Sequence, residues 1–279
     1  MVDMAIKIVV DSSIDLNDEI LKTLDVEVVP LTVSFGDDSY LDRVELTPEE
    51  FYERMGREKE LPKTAQPAPG RFLEIFEKHG KNGDKILCLC LSSKLSGTYN
   101  SAILAKSMTD YDIEVIDTQS GSAGIGILTY LANKWVNLGK SFSEVADEVR
   151  AYAEKLSVYA LLDTVENAVK GGRLSPLKGA LATILNLKIV CQVNQGRVEL
   201  FDKIRGAKLA YKKLLTLFEE KAKGRSIPVI GIAHVANEKG AQMLKELLQK
   251  VHKDAEIFIT TMGATIGTYA GPGGIVLAF

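Results

Sequence analysis

Ile86-Leu87-Cys88-Leu89-Cys90-Leu91 is a short, continuous apolar run that passes directly into Ser92-Ser93-Lys94-Leu95-Ser96-Gly97-Thr98 and then into the helical pattern Tyr99 to Met108. A strand that is apolar at every position is buried on both faces, the habit of parallel sheets covered by helices. The stretch therefore predicts a parallel strand, a serine-rich turn and a helix N-terminus in that order. Upstream, Ile6 to Val10 is a β-branched strand ending in Asp11-Ser12-Ser13, and Ile20, Leu21 and Leu24 follow at helical spacing. Val26 to Val29 and Leu31 to Phe35 form an extended stretch broken at Pro30, Thr47-Pro48-Glu49-Glu50 has the N-cap, first-turn proline and acidic residues of a helix start, and Pro62 to Pro69 reads as a proline-rich loop before a helix from Arg71 to Lys78. Downstream, Ile113 to Ile116 reads as a strand, and Ser122 to Leu138 and Phe142 to Lys155 as amphipathic helices joined at Gly139.

This alternation predicts a mostly parallel sheet with helices on both faces. From Ser157 the rhythm changes. Ile189 to Val193 and Val198 to Phe201 flank Asn194-Gln195-Gly196-Arg197, a hairpin signal, followed by a long helix from Ala207 to Lys223, an apolar run Val229 to His234, a helix from Lys239 to Lys250, a strand Ile257 to Thr261 and a closing strand Gly274 to Phe279. The expected fold is α/β: an N-terminal mostly parallel α/β domain at 1–156 and a C-terminal α+β domain at 157–279.

Composition narrows the function classes. The 279 residues are 46% hydrophobic and 25% charged, which fits an ordinary globular chain. With 34 basic and 37 acidic residues the net charge is −3, so no general attraction to nucleic acid or to anionic membrane surfaces is expected. There is no basic-then-apolar leader pattern and no apolar segment of the roughly 18 residues that could span a bilayer, which predicts a cytoplasmic protein without stable membrane insertion. Cys88, Cys90 and Cys191 sit in apolar runs without C-x-x-C spacing and read as reduced core residues. His79, His234 and His252 are far apart and include no H-E-x-x-H, so no metal site and no cofactor is expected.

Ser92 to Thr98 is the most suggestive local feature. Free N–H groups and the helix dipole at such a junction make an anion site for a phosphate or a carboxylate, although Ser96 or Thr98 can equally be a plain helix cap. It is neither a P-loop nor a nucleophile elbow, since G-x-x-x-x-G-K-[ST] and G-x-S-x-G are both absent. In Lys63-Thr64-Ala65-Gln66-Pro67, Pro67 holds Gln66 extended and leaves Thr64 free to offer a hydroxyl. Gly171-Gly172-Arg173-Leu174-Ser175 ends one helix and, with Pro176, starts another; Arg173 can reach an anion there or simply be solvated. Gly267-Thr268-Tyr269-Ala270-Gly271-Pro272-Gly273-Gly274 is too glycine-rich for regular structure and reads as a close backbone approach or a tight turn before the last strand.

Taken together in order, Asp11-Ser12-Ser13-Ile14-Asp15-Leu16, Val29-Pro30-Leu31, Lys63-Thr64-Ala65-Gln66-Pro67, Ser92-Ser93-Lys94-Leu95-Ser96-Gly97-Thr98-Tyr99, Gly171-Gly172-Arg173-Leu174-Ser175, Lys203-Ile204-Arg205 and Gly271-Pro272-Gly273 resemble the DegV family over essentially the whole chain. The resemblance implies a long-chain fatty acid held between two α/β domains and, where a fatty acid kinase is present, presentation of the acyl carboxylate for phosphorylation. It also implies that the Thr64 and Ser96 hydroxyls, with Gly97 N–H nearby, meet the carboxylate. The chain departs from the family pattern at Ala65, where Ser is common, at Lys188-Ile189, where Lys-Pro is common, and at Tyr269, a phenol where the family usually has His. Tyr269 is then the fourth carboxylate contact, and Arg173 and Arg205, on a turn and a strand end, are expected to serve a phosphoryl group or a kinase partner. Two other classes remain at this point: a stand-alone acyl or phosphoryl transferase with Ser96 as nucleophile and His234 as base, and a structural or regulatory protein without a ligand.

Overall fold

The computed structural model describes residues 5–58, 60–174 and 186–279. The N-terminal part runs β1 (Ile6–Asp11), α1 (Asp18–Thr23), β2 (Glu27–Val29), β3 (Thr32–Phe35), β4 (Asp38–Leu41), α2 (Pro48–Arg57), β5 (Lys63–Ala65), α3 (Pro69–Gly80), β6 (Lys85–Cys90), α4 (Thr98–Lys106), β7 (Ile113–Asp117), α5 (Ala123–Asn137) and α6 (Phe142–Lys155). The rest runs β8 (Val158–Leu162), α7 (Glu166–Lys170), β9 (Leu187–Asn194), β10 (Arg197–Arg205), α8 (Ala207–Ala222), β11 (Val229–His234), α9 (Glu238–Val251), β12 (Glu256–Thr261), α10 (Ala264–Ala270) and β13 (Ile275–Ala278).

The apolar run at β6 is a central strand of a parallel sheet ordered β2-β1-β6-β7. Its residues alternate as a pleat requires. Leu87 and Leu89 pack with α5 and α6, whereas Ile86, Cys88 and Cys90 pack with Phe72 and Phe76 of α3 and with Ala102 and Ala105 of α4. A second, mixed sheet is ordered β10-β9-β8-β13-β11-β12, in which only the β11–β12 pair is parallel. One face of it packs on α8 and α9, and the other on α5. The layers are therefore α3 and α4, the parallel sheet, α5 and α6, the mixed sheet, then α8 and α9.

That layering explains one correction to the sequence reading. The first turns of α5 are not amphipathic: Ala123 to Thr129 are all buried. Ile125 and Leu128 face the parallel sheet, while Ala123 and Ile127 face the mixed one, and a helix between two sheets has no wet face to mark with polar residues.

Pro30 is a sheet switch rather than a mere break. Before it, β2 pairs with β1; after it, β3 pairs antiparallel with β4 and β5 in a small three-stranded sheet. Lys63–Ala65, read as part of a loop, is thus an edge strand whose three residues were too few to show a period. The helix start at Thr47 has a full capping box with Glu50. The expected hairpin closes through Gln195 and Gly196, whose φ values of 46° and 79° fit a type I′ turn. Another correction concerns Gly267 to Ala270, which belong to α10: Gly267 gives space for the Tyr52 ring, where a Cβ would collide, so it serves close packing and not a loop. Ser175 and Pro176 lie outside the described residues.

Candidate functional site

A cavity of about 870 Å³, counting its open mouth, lies between the two sheets. Val158, Ala160 and Leu162, one face of β8, form its floor, and Ile266 and Ala270 of α10 lie on its wall. Cys191 also contributes; burial pushes its thiol up to about 12, so it stays protonated and behaves as an apolar group. The lining is mostly apolar with a few placed polar groups, the pattern of small-molecule sites.

The polar groups gather from four segments far apart in sequence: Thr64 on β5, Ser96 before α4, Arg173 after α7 and Tyr269 on α10 all line the cavity. Thr64 Oγ1 and Tyr269 Oη are 2.6 Å apart in a mutual hydrogen bond. Ser96 Oγ shares a hydrogen bond of 2.9 Å with Thr98 Oγ1 and accepts from Thr98 N–H, the first of α4, at 3.3 Å, while Ser96 also faces the cavity. Gly97 is the N-cap residue, and a Cβ there would run into the Gln66 side chain, which donates to Ser101 Oγ at 2.9 Å. Gln66 thereby ties the Thr64 strand to the start of α4. The first N–H groups of a helix have no intrahelical acceptor, so the corner where Ser96 precedes α4 has the polarity that favours an anion, although Gly97 is not among the residues that line the cavity.

Arg173 is held over the same corner. Its guanidinium stacks 4.8 Å from the Tyr269 ring centroid, Nε donates to Leu95 O at 3.2 Å and Nη1 donates to Gly171 O at 2.7 Å. Arg205 stands apart, exposed at the end of β10 where it pairs with Leu187, and is not part of the cavity wall. His234 ends β11 with Nδ1 accepting from Asn237 N–H at 3.3 Å, and burial lowers its affinity for a proton. No hydrogen bond joins Ser96 to His234; the nearest partner of the Ser96 hydroxyl is another hydroxyl, which does not activate it as a nucleophile. Among the described residues no group of three or more His, Cys, Asp or Glu is arranged to hold a metal, and no helix is long and apolar enough to cross a membrane.

A buried polar network behind the cavity was not singled out as functional from the sequence. Asp11 accepts from Ser13 N–H and Oγ–H at 2.9 and 2.5 Å and from Leu91 N–H at 2.6 Å, fixing the ends of β1 and β6 and hence the serine-rich turn. Ser12 donates to Asp42 at 3.0 Å, and Asp42 accepts from both N–H and Oγ–H of Thr265 at 3.2 and 2.5 Å. Asp15 accepts from Gly263 N–H at 2.7 Å and from Ser122 Oγ–H at 2.5 Å, with Arg43 Nη2 3.6 Å away. Burial pushes Asp15 up to about 6 against the pull of Arg43, and it raises Asp11 and Asp42 as well. These bonds clamp α10, and with it Tyr269, onto the N-terminal strands. The signal was present in the sequence: a D-S-S-x-D run at the end of a fully buried strand holds more polar groups than a buried loop can leave unpaired.

The sequence profile of the DegV family matches residues 5–279. Among curated relatives, a DegV domain-containing protein of Clostridium perfringens is 33% identical over 268 residues, covering 96% of this chain and 95% of its own length. A DegV domain-containing protein of Caldanaerobacter subterraneus is 34% identical over 271 residues, with 96% and 95% covered. Among solved structures, a DegV family protein of Thermus thermophilus described as binding fatty acid superposes with a TM-score of 0.92 at 31% identity, covering 99% of each chain. The Ruminococcus gnavus DegV family protein refined with vaccenic acid gives 0.92 at 28% identity, with 99% of this chain and 100% of that one covered. The Streptococcus pneumoniae fatty acid kinase B3 protein loaded with linoleic acid gives 0.88 at 30% identity and 99% of each chain.

Proposed function

This chain belongs to the DegV family, and from that premise we propose that it binds a long-chain fatty acid in the cavity between its N-terminal unit, 1–156, and its C-terminal unit, 157–279. The carboxylate sits at Thr64, Ser96, Gly97 N–H and Tyr269, and the chain runs along the β8 floor. The observation that carries this reading is the combination of an apolar cavity floored by β8 with a polar corner at the start of α4.

The energetics favour a lipid over a small polar acid. Each buried methylene is worth about 0.8 kcal/mol, so the roughly 14 of a palmitoyl chain supply on the order of 11 kcal/mol, against an association cost of about 4–15 kcal/mol. A carboxylate at a helix N-terminus adds only about 0.3–1 kcal/mol, rising to about 2 when partly buried. The tail sets affinity and the corner sets orientation.

In this reading the protein is the carrier and not the catalyst. It presents the carboxylate to a fatty acid kinase, with Arg173 beside the phosphoryl group and Arg205 on the kinase-facing surface. The relation to the streptococcal fatty acid kinase B3 protein supports that partnership. Organic extraction of the purified protein followed by lipid mass spectrometry tests the binding claim: about one equivalent of long-chain acid is expected, and a protein that is empty and takes up none on incubation with palmitate contradicts it.

A further inference from the structure

A second cavity adjoins the first, and its chemistry is different. It encloses about 1420 Å³, counting space open to solvent, between the 119–120 loop, the end of α6, the tip of the β9–β10 hairpin and the end of α8. Val158, Gln192 and Val193 belong to the walls of both cavities, so the apolar space and the cleft share a boundary there. The 119–122 segment is likewise shared, with Gln119 and Ser120 facing the cleft and Gly121 and Ser122 facing the acyl cavity.

The cleft is polar and cationic. Lys155, Lys221 and Arg225 line it against a single carboxylate, Glu154. Arg225 donates only to neutral acceptors there, Ser157 Oγ and the carbonyl oxygens of Lys221 and Lys155, so its charge is not neutralised by those contacts. Lys155 and Lys221 are exposed.

The direction of β8 connects this cleft to the far end of the site. Leu162 leads into α7 and so toward Arg173, whereas Val158 lies four residues back, about 13 Å at about 3.3 Å per residue. Resting on the fatty-acid reading above, we propose that the acyl channel continues past Val158 and Gln192 into this cleft, and that the protein accepts acyl chains bearing a carboxylate at the far end. A methyl terminus arriving there meets water and ammonium groups and gains nothing beyond the apolar wall. A second carboxylate remains hydrated and is attracted by three cations, so it carries no desolvation penalty of the kind that excludes charge from an apolar pocket. Such a diacid satisfies both ends of the channel at once: one carboxylate at the α4 corner, the other in the cleft.

The test compares palmitate with hexadecanedioate by calorimetric titration of the delipidated protein, in the native chain and in the Lys155→Glu, Lys221→Glu double variant. These lysines are exposed, and equal thermal melting of the two proteins verifies the fold. The native protein is expected to bind the diacid within about threefold of palmitate, and the double variant to lose about tenfold for the diacid while palmitate changes by less than about twofold. A diacid that binds native protein more than about a hundredfold weaker than palmitate overturns the proposal, as does a charge reversal that leaves diacid binding unchanged or weakens both acids equally. If palmitate itself fails to bind, the fatty-acid reading falls, and that result is distinct from loss of the diacid alone.

Discussion

Tyr269 Oη and Thr64 Oγ1 lie 2.6 Å apart although 205 positions separate them in sequence. The contact joins an edge strand of the small antiparallel sheet to the helix before the final strand. It exists because the Asp42–Thr265 and Asp15–Gly263 bonds hold the start of α10 against the N-terminal strands.

The phenol at this position makes a specific expectation. Tyr269→Phe removes one hydroxyl and should weaken palmitate binding by about 0.5–1.5 kcal/mol, toward about 3 if the lost partner is the charged carboxylate. An imidazole gains a proton near neutrality and then attracts a carboxylate. Tyr269→His should therefore bind palmitate more tightly, relative to the native protein, as pH falls from about 8 to about 6. Fluorescence titration at both pH values checks this, and identical profiles for the two proteins would place the carboxylate elsewhere.

Ala160 probes the path of the tail. It sits between Val158 and Leu162 on the cavity floor, and Ala160→Phe fills space there without disturbing the strand pattern. Displacing about three or four methylenes should cost about 3 kcal/mol, roughly a hundredfold in palmitate affinity, whereas an eight-carbon acid should be nearly unaffected. Equal loss for both acids would mean that the tail does not run over β8.

The parallel core was legible in the sequence because β6 is apolar at every position from Ile86 to Cys90 and β1 is rich in β-branched residues, and because Thr47 and Gly196 carry recognisable cap and turn chemistry. The Ser96 corner was legible for the same local reason. What escaped reading was non-local. A three-residue edge strand such as β5 has no period, and the helix expected over Ser122 to Leu138 is present as α5 but its first turns, packed on both faces, lack the expected polar side. The network of Asp15, Asp42 and Arg43 depends on partners at Ser122, Gly263 and Thr265 that no local pattern connects.

Asp15 gives the network a pH signature. Its folded proton affinity is raised from an ordinary 3.8 to about 6, so the folded state holds a proton that the unfolded chain has lost. Its contribution is therefore fully present below about pH 4 and is lost as pH rises through about 6; at about 1.4 kcal/mol per pH unit the loss is on the order of 3 kcal/mol. Asp15→Asn should flatten that part of the stability curve, measured by urea unfolding between pH 4 and 7. A native protein whose stability rises across this window, with Asp15→Asn leaving the slope unchanged, would contradict the assignment.

Arg205 tests the partner surface independently of the lipid. It is exposed and outside the cavity wall, so Arg205→Glu should leave bound lipid near stoichiometric. Acyl-phosphate formation by a cognate kinase should fall about tenfold, chiefly through slower association. Unchanged phosphorylation kinetics would remove Arg205 from that surface.

The most direct test of the central claim is the affinity of palmitate for the Thr64→Ala, Ser96→Ala double variant beside the native protein, with melting curves recorded for both. Each lost hydroxyl should cost about 0.5–1.5 kcal/mol, or up to about 3 toward a charged acceptor, so binding should weaken by at least about fivefold and the complex should still form on the strength of the buried tail. Native-like affinity in a properly folded double variant would show that the carboxylate does not lie at the corner formed by Thr64, Ser96 and Tyr269.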